Sequence, residues 1–96
     1  MEDLLFDAKS RLLDYIWGYS ALGMYKDAIS ECKKLIRLDP KDPYSFIELG
    51  LCYEDQGKIE KAVRWYRYVI KRFPESSKAY INLGYIFETY KKRNDM

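Results

Sequence analysis

The sequence predicts an all-α protein: an α-solenoid of about five helices packed as antiparallel hairpins. Three observations carry that reading. Residue identities recur at an offset of 34 positions. Apolar residues fall three and four places apart, the spacing of one helical face. Glycine and proline stand where each apolar stretch ends.

At this offset Gly23 aligns with Gly57, Ala28 with Ala62, Pro40 with Pro74, and Leu49-Gly50 with Leu83-Gly84. Tyr15, Leu49 and Leu83 share a column, as do Leu12, Phe46 and Tyr80, and Tyr19, Tyr53 and Phe87. The chain divides into units 9–42, 43–76 and a partial or capping unit 77–96, within one domain spanning 1–96. Residues 1–8 form a helical extension, because Leu4, Leu5 and Ala8 continue the stripe of Leu12 backwards.

In the middle unit, Asp42 is placed to cap a helix and Pro43 suits its first position. That helix runs from about Pro43 to Gln56, where Gly57 ends it by taking a left-handed conformation. Its core face is Phe46, Leu49, Gly50 and Tyr53. The second helix, from about Ile59 to Arg72, answers with Ile59, Ala62, Tyr66, Val69 and Ile70 before Pro74 blocks it. Gly50 and Ala62 are small where two helices approach closely. Ser76 or Ser77 caps the helix after it. The residues from Lys91 to Met96 stand where that third unit would begin a second helix. The last helix is then either a solvating cap, with Lys91, Lys92 and Arg93 complementing its C-terminal dipole, or the edge of a longer array.

These columns resemble the tetratricopeptide repeat. The middle unit carries the motif in Phe46, Leu49, Gly50, Tyr53, Gly57, Ala62, Tyr66 and Pro74. The first carries Leu12, Tyr15, Tyr19, Gly23, Tyr25, Ala28, Cys32, Leu35 and Pro40. It departs at Ile16, where the motif prefers a small residue, so its two helices are expected to sit further apart. The resemblance implies a right-handed superhelix that acts without catalysis, as an adaptor or scaffold for protein or peptide ligands. It also implies that the first helix of each unit lines a concave groove, one residue after its core slots.

Those positions hold Leu13 and Trp17, then Tyr44, Ile47 and Leu51, then Ile81 and Tyr85. The packing motif requires none of them, and together they make an apolar, aromatic surface suited to an amphipathic helix or apolar peptide. Glu54, Asp55 and Glu88 add an acidic rim at one end, which would favour a ligand with Lys or Arg at one terminus. The family's clamp for the acidic C-terminal tails of chaperones needs Lys, Asn and Arg where this chain has Leu13, Trp17, Glu48, Lys78 and Asn82. Only Lys78 fits, which argues against chaperone tails as the ligand.

Composition narrows the function further. A net charge of +2 implies no dominant polyanionic partner. The chain lacks histidine and has two cysteines, Cys32 and Cys52, without metal-ligand spacing. No nucleophile–base set or phosphate loop is legible, so neither an enzyme nor a cofactor or metal site is expected. The cysteines read as reduced packing residues of an intracellular, cytoplasmic protein. No apolar run is long enough for a membrane span, and the acidic residues in 1–8 do not suit a signal or transit peptide. Lys58, Lys61, Arg64, Arg67, Lys71 and Arg72 make the second middle helix basic, near Trp65 and Tyr68. Such a stripe superficially suits nucleic acid, but reads better as the solvated convex face. The alternative use is self-association, since a short solenoid leaves apolar faces open at its ends and a homo-oligomer would cover Leu83 and Phe87.

Overall fold

The computed structural model describes residues 2–94, with side chains for 4–90. Five helices follow one another: α1 Glu2–Ala21, α2 Tyr25–Leu38, α3 Pro43–Asp55, α4 Ile59–Arg72 and α5 Ser77–Asn94. No strand occurs among the described residues. Each helix packs mainly on the next, giving an all-α solenoid with extents of 52 × 32 × 15 Å. The proposed complementarity of Lys91, Lys92 and Arg93 to the end of α5 lies outside the described side chains.

Local chemistry sets the helix ends. The Asp42 carboxylate accepts from the Tyr44 backbone N–H at 3.0 Å, and Pro43 occupies the opening turn where an N–H would be orphaned. Gly23 and Gly57 turn their hairpins at φ of 76° and 85°. The two turns share their main hydrogen bonds. Met24 N–H donates to the Tyr19 carbonyl and Lys58 N–H to the Tyr53 carbonyl, both at 2.8 Å. The sequence periodicity is therefore also a periodicity of backbone hydrogen bonds. Gln56, expected as the last residue of α3, is instead its C-cap.

The side-chain core forms two linked clusters. One joins Ile16, Ala28, Cys32, Leu35, Leu49 and Cys52; the other is built around Phe46, Ala62, Tyr66, Val69, Ala79 and Ile86. Ile16 is accommodated in its hairpin, contrary to expectation: it is buried in the core with Ala28 and Cys32, and α1 and α2 make as extensive a contact as α3 and α4. The reason is a size exchange across equivalent columns. In the middle unit Gly50 leaves room for fully buried Tyr66. In the first unit Ile16 faces the layer where Cys32, not tyrosine, occupies the Tyr66 column, and both are buried. A large residue on one helix is matched by a small one on the other, as close packing demands.

Lys9 ties α1 to the turn before α3, with Nζ 2.6 Å from Asp39 and 3.2 Å from Asp42. Lys9 holds the Asp39 carboxyl below the usual carboxylate range, and the bond to Asp39 lifts Lys9 above the usual lysine value. A depressed carboxyl stabilises the fold at neutral pH and loses that effect as pH falls through its own titration. A raised ammonium loses its effect only at strongly alkaline pH. Lys9→Met is therefore expected to lower the urea midpoint at neutral pH. The gap from the parent should close in acid, as pH falls below the usual carboxylate range, and a gap of constant size would remove the ion pair as its cause.

Candidate functional site

The first helices of the three units lie side by side, and polar contacts across them show it. The Trp17 indole N–H on α1 donates to the Glu48 carboxylate on α3 at 3.2 Å. The Lys78 ammonium on α5 sits 4.6 Å from the centre of the Tyr44 ring on α3. Burial pushes the Tyr44 phenol above its ordinary pKa, and the neighbouring Glu48 carboxylate adds to the effect. Trp17, Glu48, Tyr44 and Lys78 thus form one band running from α1 across α3 to α5.

The sequence-derived positions divide along this surface. Trp17, Ile81 and Tyr85 are exposed by 50%, 66% and 68% of their area. Leu13, Tyr44 and Leu51 are half-buried. Ile47 is not a surface residue: it is 1% exposed and belongs to the core cluster with Phe46 and Tyr66. As the middle helix, α3 is covered from both sides, so its equivalent position is sealed while Leu13 and Ile81 keep access. The apolar exposure is therefore strongest on α1 and α5, with α3 forming the floor.

Glu54 is half-buried and accepts the Tyr66 hydroxyl at 2.8 Å. It is thus engaged in holding α4, while Asp55 and Glu88 are exposed at the rim. Burial and the Glu54 carboxylate push the Tyr66 phenol well above its ordinary pKa, so it stays a hydrogen donor at any physiological pH.

Sequence reasoning missed the part played by Glu48. Read as an exposed charge on the groove, it is 3% exposed and anchors the Trp17 indole. The available signal was spacing: Tyr44 and Glu48 are four apart on one helical face, and Glu48 lies one turn before Leu51, the repeat equivalent of Trp17. The basic residues of α4 are exposed, and several cover aromatic rings. Arg67 lies over Phe87 at 5.9 Å, Arg72 over Phe73 at 5.4 Å and Lys61 over Tyr53 at 5.5 Å. Among the described residues no group of three or more His, Cys, Asp or Glu is placed to hold a metal ion.

Two family models, both described as tetratricopeptide repeat, match residues 31–64 and 19–42. The chain belongs to the tetratricopeptide repeat family. Its matched region runs through both hairpin turns of the first two units. Among similar proteins, a TPR repeat-containing protein of Methanocaldococcus jannaschii is 36% identical over 59 residues, covering 59% of this chain and 10% of that protein. Protein PHOX1 of Arabidopsis thaliana is 32% identical over 71 residues, covering 74% of this chain and 9% of that protein. The chain spans about a tenth of the length of these curated relatives. Tetratricopeptide repeats generally mediate protein–protein interaction and act without catalysis. No helix of the described residues is long and apolar enough to cross a membrane.

Proposed function

We propose that this tetratricopeptide repeat chain is a non-catalytic adaptor or scaffold module that binds a peptide or amphipathic helix on the face shared by α1, α3 and α5. The observation that supports it is the exposure of Trp17, Ile81 and Tyr85 beside the half-buried floor of Leu13, Tyr44 and Leu51. A folded chain leaves large rigid side chains in water at a cost, and a ligand helix recovers that cost by covering them. Covering about 500 Å² of apolar area would contribute roughly 12 kcal/mol gross. Most of it is offset by lost freedom on association, which leaves affinity of about micromolar strength. Two cysteines without a disulfide framework suit a cytoplasmic setting.

Selection of peptides from a random library on the immobilised chain tests the surface. Selected peptides should be amphipathic and should compete with one another. Their binding should fall on changing Trp17 or Tyr85 but not on changing Lys33 or Lys71, which are exposed on α2 and α4. Peptides that respond equally to all four positions would place binding elsewhere. Asp55 and Glu88 favour peptides with a basic terminus, whose affinity should weaken as salt rises from about 0.05 to 0.5 M. Salt-independent binding would remove the acidic rim from the mechanism.

A second reading, self-association through α5, is favoured by one observation. Tyr66 fills the space beside Gly50, whereas nothing lies within 4 Å of a side chain built on the equivalent Gly84. Tyr80 and Phe87 beside it are half-exposed. A helix from a second copy could seat there as α4 seats on α3. Sedimentation at high micromolar concentration distinguishes the readings, since a strict monomer leaves the peptide-binding surface as the use of the fold.

A further inference from the structure

We propose that Cys32 and Cys52 form a redox-modification site, in which a peroxide oxidant joins them in a disulfide that ties the first hairpin to the second. The two residues lie on α2 and α3, in different repeat units, with their sulfurs 3.6 Å apart. The Ser20 hydroxyl of α1 lies 3.8 Å from the Cys52 sulfur, so three helices converge on the pair. Both cysteines are free, and both are buried, at 0% and 2% exposed.

The repeat does not account for this pair. Its column at Cys32 holds Tyr66 in the next unit, and its column at Cys52 holds Gly18 and Ile86 in the units either side. Packing asks for a small residue opposite Ile16 at Cys32 but not for sulfur at either position, yet thiols occupy both and touch. Either thiol can donate in their mutual contact; with Cys52 ionised and Cys32 donating, the bond draws Cys52 below the ordinary thiol value, and the Ser20 contact favours the same sulfur. The Glu48, Glu31 and Asp55 carboxylates act against ionisation of the pair. Cys52 is the sulfur that ionises first, and the thiolate is the nucleophile.

The chemistry balances in two steps. The Cys52 thiolate attacks one oxygen of hydrogen peroxide; an S–O bond forms and the O–O bond breaks. The leaving hydroxide takes up the proton that Cys52 released and departs as water. Cys32 sulfur then attacks the Cys52 sulfenic acid; an S–S bond forms, the S–O bond breaks, and a second water leaves with the Cys32 proton. Two thiols have lost two electrons and two protons, and one peroxide has become two waters. Access comes from local opening of the first hairpin against the second, which a solenoid permits because each unit is held only by its neighbours. Reclosure returns the sulfurs to contact, which directs the sulfenic acid to a disulfide before further oxidation. A thiol reductant reverses it.

The test uses the full chain, reduced and then exposed to hydrogen peroxide without denaturant. The expected product is a monomer lighter by about 2 Da, its Cys32 and Cys52 peptides linked on mapping. It should exceed disulfide-linked dimers by at least about 100-fold at micromolar protein, because the second thiol is held in contact. Cys32→Ser should instead accumulate sulfinic acid at Cys52 or dimers, whereas Cys52→Ser, which lacks the attacking thiolate, should resist oxidation. Should either fail to fold, the parent still decides the matter: its oxidised monomer should melt about 10 °C higher, since the clip shortens the unfolded chain's freedom. Sulfinic acid without linkage in the folded parent would overturn the proposal. So would a disulfide that forms only in urea, or one that lowers the melting temperature.

Discussion

Gly50→Ala is expected to destabilise the protein by about 1–2 kcal/mol, against the ordinary preference of helices for alanine over glycine by about 1 kcal/mol. A methyl group there would stand 2.6 Å from Cε1 of Tyr66, 3.0 Å from Cδ1 and 3.1 Å from Cζ. The ring has no easy retreat. Tyr66 is fully buried, packed in the core with Phe46, Ile47, Ala62 and Val69, and its hydroxyl is bound to Glu54. Relief would require moving α4 away from α3 or breaking that hydrogen bond. Gly84→Ala, in the same column one repeat later, meets nothing within 4 Å. It should stabilise by about 0.5–1 kcal/mol through the helix preference alone. Urea titrations of both variants check the opposite signs; equal effects would show that Tyr66 does not set the cost. A sharper check copies the first hairpin. Gly50→Ile alone should unfold the chain or nearly so, while Gly50→Ile with Tyr66→Cys recreates the pair at Ile16 and Cys32. The double variant should recover most of the loss, because volume is exchanged rather than added.

Trp17→Ala together with Tyr85→Ala is expected to weaken a selected peptide ligand by about 100-fold or more, while leaving the helical content unchanged. Large aromatic anchors typically contribute about 2 kcal/mol or more each when truncated, and these two are exposed on the outer first helices. Neither belongs to a core cluster, so the fold does not depend on their rings. The two differ in one respect. Trp17 also donates to Glu48, a carboxylate 3% exposed that loses a hydrogen-bond partner when the indole goes. Trp17→Phe separates the roles, because it keeps a flat apolar surface and removes only the N–H. If binding rests on apolar contact, Trp17→Phe should retain most affinity and lose a little stability. If it falls as far as Trp17→Ala, the indole N–H positions the site through Glu48. Calorimetry on all three variants, with circular dichroism as the control, reads the outcome; affinity equal to the parent's in the double variant would end the proposal for this surface.

The fold was legible because its determinants are local and repeated. Gly23, Gly57, Pro43 and Asp42 act through their own backbone geometry, which is why turns and caps lie where composition puts them. The site was less legible. Leu13, Ile47 and Ile81 occupy one repeat position, but Ile47 is sealed because α3 has a helix on each side. A column in a sequence cannot show that difference. Glu54 and Glu48 both read as surface charges and both turned inward, each to a ring donor on another helix. Ile16 read as a defect of the motif until its opposite column, small at Cys32, was seen to compensate.

Alone, the order of residues determined how many helices form, where each begins and stops, and which stripe of each faces inward. Those are consequences of torsion preferences and apolar spacing within about ten neighbouring residues. Tertiary structure decided which equivalent positions stay in water, which carboxylates find donors, and that Cys32 and Cys52 meet. Such outcomes depend on what stands across from a side chain, and the chain brings those partners together only when hairpin closes on hairpin.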